Sequence, residues 1–164
     1  MLLADAASAL SLCRRAEHSE RQRRRLELAE ARNREAVLHL LMNGHLAAAH
    51  QVAGALRPPP PSEIRFHVVE CPPRVRGHLT GRCTALAEGI WVILCPVYAD
   101  HFFVIAPSPA AAVTALGDDC LVGISEDLPL SDTATGYAQA FHALAAARNQ
   151  PGRHARSRPG RAWH

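Results

Sequence analysis

The 164-residue chain contains no Lys, and all 18 of its basic residues are Arg. It also lacks the P-loop, the Gly-rich dinucleotide fingerprint, the paired-His zinc helix and the G-x-S-x-G elbow, which mark common phosphate, nucleotide, zinc and hydrolase sites. The five Cys are widely spaced, without a C-x-x-C pair, so we expect buried thiols and neither a metal site nor a disulfide framework. These absences predict a protein that is not an enzyme and that holds no metal or cofactor.

Long hydrophobic runs are missing as well. The opening stretch of the chain is apolar only briefly, because Asp5 interrupts it, and no positive region precedes it. Such a stretch is too short for a membrane span and does not have the form of a signal peptide. We therefore expect a cytoplasmic protein without a membrane partner.

Charge is distributed unevenly along the chain. The formal net charge is +3, but residues 148–164 carry five Arg and no acid, so the rest of the chain is slightly acidic. Pro151, Pro159 and two Gly in the same stretch disfavour a stable helix. The sequence predicts a basic disordered tail over residues 149–164.

Residues 1–57 favour helix, because Ala, Leu, Arg and Glu dominate and no Pro occurs before Pro58. Apolar or small side chains recur at helical spacing and form a coiled-coil-like seam. The seam residues are Leu26, Ala29, Asn33, Val37 and Leu40. This helical arm predicts a homodimer; the alternative is that the seam folds back on its own domain. A Pro-rich linker, residues 58–63, follows the arm.

Within the arm, Asn43-Gly44 predicts a helix stop, and His45–Leu56 predicts a second short helix. A helix-turn-helix suggests DNA binding. However, the second helix offers Ala where a recognition helix presents Arg, Asn or Gln to base edges. We therefore expect no sequence-specific DNA binding by this chain.

Residues 64–148 predict an α+β domain with a mainly antiparallel sheet, in ferredoxin-like or cyclase-like layering. Its central feature is a β-hairpin within residues 90–107, whose first arm is continuously apolar and predicts a strand covered on both faces. The other predicted elements are a strand at 64–71, a helix at 79–88, a helix at 107–117, a strand at 120–125 and a helix that opens with Asp132 as its N-cap.

Two stretches resemble a known family. The helix ending LHLLMNG at residues 38–44 and the segment VGISEDLPLSDTATGYAQAFHALAAAR at residues 122–148 are similar to parts of actinobacterial PucR/CdaR-type transcriptional regulators. The resemblance runs from about residue 21 to residue 148 and implies a central GGDEF-like domain preceded by a helix. The C-terminal helix-turn-helix of that family would have to follow Arg148 and is missing.

The same resemblance identifies a degenerate GGDEF-like turn, formed by Tyr98, Ala99, Asp100, His101 and Phe102. A diguanylate cyclase needs two glycines to admit nucleotide and two carboxylates to hold Mg²⁺. Here Asp100 and Phe102 keep the pattern, whereas both glycines and the second carboxylate are absent. Cyclase activity is therefore not expected.

The sequence thus predicts a non-catalytic regulatory and dimerisation portion of a PucR-like regulator. One alternative is a degenerate nucleotide-binding or cyclase-like enzyme, which would need a second carboxylate beside Asp100, with Glu70 as the candidate. Another is a stand-alone interaction module whose arm pairs with full-length relatives.

Overall fold

The computed structural model describes residues 2–86, 89–107, 116, 120–149 and 154–156. The chain divides into two compact units, Met1–Arg32 and Asn33–His164. The helices are α1 (Leu2–Met42), α2 (Leu46–Ala53), α3 (Pro73–Leu86) and α4 (Thr133–Ala147). The strands are β1 (Glu63–Glu70), β2 (Trp91–Leu94), β3 (His101–Ala106), β4 (Leu121–Ile124), β5 (Leu128–Pro129) and β6 (His154–Arg156).

The protein is α+β, with a long N-terminal helix and a mainly antiparallel sheet, as predicted. The strand order is β2-β3-β1-β4-β6, and the short β5 pairs with the start of β1. All pairings are antiparallel except that between β4 and β6. Among the described strands, β1 therefore lies at the centre and hydrogen-bonds to neighbours on both sides.

The β2–β3 hairpin confirms the predicted pair of strands, but its place in the sheet differs from the expectation. The first arm is covered on both faces, as predicted, since Trp91 and Ile93 pack in one core cluster and Ile90 and Val92 in the other. Leu94 at its end is 49% exposed, and β2 lies at the edge of the described sheet. The return strand β3 is the one that is buried along its whole length. The hairpin is therefore not central. β1 is the middle strand of the described sheet, and β3 is hydrogen-bonded to β2 on one side and to β1 on the other.

One face of the sheet carries the larger part of the core. Phe66, Phe103 and Ile105 pack there against Ala140 and Leu144 of α4. The end of α1 and one face of α2 join the same cluster, through Val37, Leu38, Leu41, Ala49 and Ala53. Burial of these apolar side chains is the main force that holds the helices on the sheet.

The opposite face is covered by α3. Leu79 and Cys83 of this helix pack with Val69, Phe102 and Val104 of the sheet. Pro73 is the first residue of α3, six residues before the predicted start, because Pro is well tolerated at the first helical position. Helices thus lie on both faces of one sheet.

Packing places the start of the compact unit at Asn33 and not at the predicted linker. Leu56 is 2% exposed, so the residues before the linker already belong to the core. The linker itself is hydrogen-bonded to the domain: Trp91 Nε1 donates to the carbonyl oxygen of Pro58 at 2.9 Å, and the Leu130 amide donates to that of Ser62 at 2.9 Å. Residues 58–63 are therefore part of the folded unit and do not act as a spacer.

The local predictions at the chain turns hold in part. Gly44 has a φ of +75° and ends α1, as the Asn-Gly pair predicted. Asp132 does stand at the N-cap of α4, but its carboxylate accepts a hydrogen bond from Ser131 Oγ at 3.1 Å instead of capping the helix.

Two predictions concern segments that lie mostly outside the described residues. Most of the predicted helix at residues 107–117 lies outside the described residues, although Leu116 is helical and buried. Most of the 149–164 tail also lies outside them, but the backbone of β6 pairs in parallel with β4. This segment is not disordered, which corrects the prediction for residues 154–156. Among the described residues, no helix combines the length and apolarity that crossing a bilayer requires.

Candidate functional site at the ends of β1 and β4

Three strand ends meet at one edge of the sheet and form an open depression. Glu70 ends β1 and lies opposite His101, the first residue of β3. Beyond this pair, the Cys71 amide donates a hydrogen bond to the carbonyl oxygen of Asp100 at 2.8 Å. The depression has a volume of about 510 Å³ and is lined by Glu70, Cys71, Pro72, Pro73, Asp100, Cys120 and Leu121. We call it the strand-end cleft.

The degenerate GGDEF-like turn forms part of this edge. The His101 amide donates to the carbonyl oxygen of Tyr98 at 3.2 Å, which closes the turn. Arg76 of α3 donates to the carbonyl oxygen of Ala99 at 2.5 Å, and so fixes the turn from the other side. Phe102 is fully buried. Of the five turn residues, Asp100 is the one that lines the strand-end cleft, and it contributes a carboxylate.

The second carboxylate that the enzymatic alternative requires is present, because Glu70 lines the same cleft as Asp100. The Glu70 carboxylate, however, already accepts hydrogen bonds from an Arg side chain. Arg148, the residue after α4, donates to Glu70 Oε2 from Nε at 3.0 Å and from Nη2 at 2.7 Å. Both bonds go to the same oxygen, so the Arg148 guanidinium occupies one side of this carboxylate.

Asp100 also has a close partner. Its Oδ1 lies 2.7 Å from Nδ1 of His101. The hydrogen bond from His101 is the largest of the effects that lower the pKa of Asp100, and the charge of Arg148 lowers it further. Both carboxylates of the cleft therefore lie in a positive field from neighbouring side chains.

This arrangement is unfavourable for a divalent cation. Mg²⁺ binds through carboxylate oxygens that are free to coordinate it, together with substrate phosphates. In the described part of the chain, no three His, Cys, Asp or Glu side chains are grouped so that they could hold a metal ion. Beside the two carboxylates, the lining includes the exposed Pro72 and Pro73 and the buried Cys71 and Cys120.

Two residues of the cleft were not singled out by the sequence. Cys71 and Cys120 are 2% and 3% exposed and both line the floor. Burial raises the pKa of the Cys71 thiol, and the charge of Arg76 partly opposes this shift. Their separation of about 50 residues hides the proximity, and only the strand register reveals it.

The predicted dimer seam divides between two environments. Leu26 is 60% exposed, and Ala29 and Asn33 are exposed as well. Val37, in contrast, is 1% exposed within the core of its own chain, and Leu40 packs against that core. The alternative, in which the seam folds back, therefore holds for Val37, and the residues left for pairing lie nearer the N-terminus.

The short helix α2 packs one face on the domain, with Ala49 and Ala53 buried in the core. The absence of sequence-specific DNA binding stays a prediction.

No protein-family model matches the chain, and no curated protein or solved structure is significantly similar to it.

Proposed function

We propose that the chain is a non-catalytic regulatory and dimerisation module of the PucR-like kind, in which the strand-end cleft is a structural remnant of a nucleotide site. The observation that carries this proposal is the pair of hydrogen bonds from Arg148 to Glu70. In a working phosphoryl-transfer site, a carboxylate at this position would be available to Mg²⁺. Here the Glu70 carboxylate is paired through Oε2 with a guanidinium of the same chain.

Dimerisation rests on the exposed apolar side chains of α1. Leu12 and Leu26 are 65% and 60% exposed, and with Ser19 and Asn33 they follow a seven-residue repeat. Pairing with a second copy would remove these leucines from water. An Asn in such a seam favours one register at some cost in stability. The same face would allow the arm to pair with a full-length relative.

Sedimentation of the purified chain tests the dimer. The wild type is expected to sediment as a dimer at tens of micromolar, and Leu26→Asp is expected to shift it to monomer because a buried carboxylate is costly. Leu28→Asp is the matched control, since Leu28 is 63% exposed and points away from the seam at helical spacing. A monomeric wild type, or an equal effect of the two variants, would contradict the dimer.

The non-catalytic assignment is tested with GTP and Mg²⁺. We expect no cyclic dinucleotide above a no-protein control and no tight binding of Mg²⁺-GTP by calorimetry. Turnover that disappears in Asp100→Ala would overturn the assignment.

A degenerate nucleotide-binding domain is the second candidate, because Glu70 and Asp100 line one cleft. In that case Arg148 would hold a nucleotide phosphate instead of only Glu70. Binding of GTP without Mg²⁺, weakened at least tenfold by Arg148→Gln and unaffected by Arg82→Gln on exposed α3 surface, would favour this candidate.

A further inference from the structure

Cys71 and Cys120 extend the pairing of β1 with β4. The antiparallel register pairs Val69 with Val122 and Glu70 with Leu121. Cys71 directly follows β1 and Cys120 directly precedes β4, so continuing the register by one step would place the two residues opposite each other. Both thiols also line the strand-end cleft and pack in one core cluster.

The hydrogen-bonding pattern shows which kind of opposed position this is. The Ser125 amide donates to the carbonyl oxygen of Phe66 at 2.9 Å, and the Phe66 amide donates to Ser125 Oγ at 2.9 Å, so the backbone groups of Phe66 face β4 as they do in a hydrogen-bonded pair. Hydrogen-bonded and non-hydrogen-bonded pairs alternate along an antiparallel ladder. Counting from Phe66, Cys71 and Cys120 fall on a non-hydrogen-bonded pair. The Cys71 amide agrees with this count, because it donates to Asp100 on the β3 side.

A non-hydrogen-bonded pair brings its side chains close together. Its Cα atoms are about 4.5 Å apart, which lies within the range of about 4.4 to 6.8 Å that a disulfide spans. Both thiols also lie on the same face of the sheet, since they pack in one cluster with Val69 and Val122. All five cysteines of the chain are present as thiols.

We propose that Cys71 and Cys120 form a redox site that a small-molecule disulfide of the glutathione class converts reversibly into a protein disulfide. One protein thiolate attacks a sulfur of the oxidant, which forms a mixed disulfide and releases one small thiol. The second protein thiol then displaces the remaining small thiol. Formation of the protein disulfide removes two electrons and two protons from the two Cys. The oxidant accepts them and becomes two thiols.

Closure of this bond would change the strand-end cleft. The new S–S bond would cross its floor between the ends of β1 and β4, beside Glu70 and Asp100. The Cys120 thiol would also give up its contact with the Leu116 carbonyl oxygen, at 3.6 Å. The segment between Cys71 and Cys120, which carries α3 and the hairpin, would become a closed covalent loop. This inference does not depend on the proposed regulatory function.

The test is oxidation of the full chain with excess oxidised glutathione, followed by disulfide mapping under non-reducing conditions. Trypsin alone is insufficient, because no Arg lies between Arg82 and Arg148 and three cysteines would stay in one peptide. A second, Asp-directed protease separates Cys120 from the others. A peptide containing Cys71 linked to one containing Cys120 is expected, with a loss of about 2 Da from the intact chain that a reductant reverses.

Cys71→Ser and Cys120→Ser should each abolish the intramolecular mass loss. Cys83→Ser is the matched control and should retain it, because Cys83 is buried in the same cluster but lies on α3. A Cys13→Ser background removes linkage between copies through the exposed Cys13. The wild type is also oxidised during refolding from urea, when both thiols are accessible. Absence of the Cys71–Cys120 peptide in both the native and the refolding experiment would overturn the proposal, whether or not the variants fold.

Discussion

Gly123 of β4 lies against the backbone of α4 so closely that a Cβ atom at this position would stand 2.0 Å from the carbonyl oxygen of Ala140. The same atom would lie 2.3 Å from the Leu144 nitrogen. Both obstacles are main-chain atoms and cannot rotate away. The close spacing between β4 and α4 at this point therefore requires a residue without a side chain at position 123.

Gly123→Ala should accordingly destabilise the domain by about 3 kcal/mol, since α4 must move outward and lose contacts. Gly81→Ala in α3 is the control, because a Cβ there meets nothing within 4 Å. That substitution should stabilise by about 0.5 to 1 kcal/mol through helix propensity. Urea unfolding followed by circular dichroism measures both changes, and equal effects of the same sign would refute the argument.

The contact between Arg148 and Glu70 should contribute little to stability. The two side chains are 51% and 26% exposed, so solvent screens the interaction. A double-mutant cycle with Arg148→Gln and Glu70→Gln should give a coupling free energy of about 0.5 to 1 kcal/mol. A coupling above roughly 3 kcal/mol would mean that the pair is buried more deeply than the structure shows.

Asp100→Asn should alter the acid limb of the stability curve. The hydrogen bond from His101 lowers the pKa of Asp100 in the folded protein. A carboxylate whose pKa is lower in the folded protein than in the unfolded chain stabilises the fold at pH values above its unfolded pKa, which is about 3.9 for Asp. This contribution is lost as the pH falls through the folded pKa. The variant should therefore be less stable than the wild type at pH 6, and the difference should vanish at the acid end. Urea unfolding at a series of pH values from 6 to the acid end measures the difference, and a difference that does not shrink would contradict this prediction.

Cysteine alkylation should distinguish the thiols by burial. Burial raises the pKa of Cys83 to about 11 from 9.0, which lowers its thiolate fraction about 100-fold at pH 8. Cys13 is exposed and should react with iodoacetamide at least that much faster than Cys83. Quenched time points read by mass spectrometry give the two rates. Comparable rates in the native protein would show that α3 opens readily.

Contacts with DNA should be weak and independent of sequence. Five Arg in residues 148–164 allow phosphate contacts, and the logarithm of the binding constant should fall with the logarithm of salt at a slope of roughly −4 to −5 at most. Arg158→Gln should reduce that slope by about 1 on every DNA fragment alike. Fluorescence anisotropy over a salt series gives the slopes. A footprint on one promoter fragment at physiological salt would contradict this prediction.

The strands β1, β2, β3 and β4 could be predicted from the sequence because β-branched and aromatic residues concentrate in them. Their neighbours could not be predicted, since apolarity does not show which strand lies at an edge. The edge position of β2 and the inner position of β3 both follow from the insertion of β1 beside β3. The sequence also predicted that the first strand ends at Cys71, but not that Pro73 starts a helix.

The candidate site was only partly accessible from sequence. Asp100 and Glu70 were identified by their types and positions, whereas the role of Arg148 depends on where α4 ends relative to β1. Val37 was assigned to a dimer seam because an amphipathic stripe is the same whether a second chain or its own domain covers it. Cys71 and Cys120 become neighbours only through a strand register that spans about 50 residues.

The central position of β1 also determines how the domain must assemble. Phe66 pairs with Ile105, roughly 40 residues later, and bonds to Ser125, 59 residues later. During synthesis β1 therefore leaves the ribosome well before either of its partners, while its apolar residues have no strand to pair with. Such non-local pairing slows folding, and it gives the nascent β1 strand an interval in which self-association or chaperone capture competes with the native sheet.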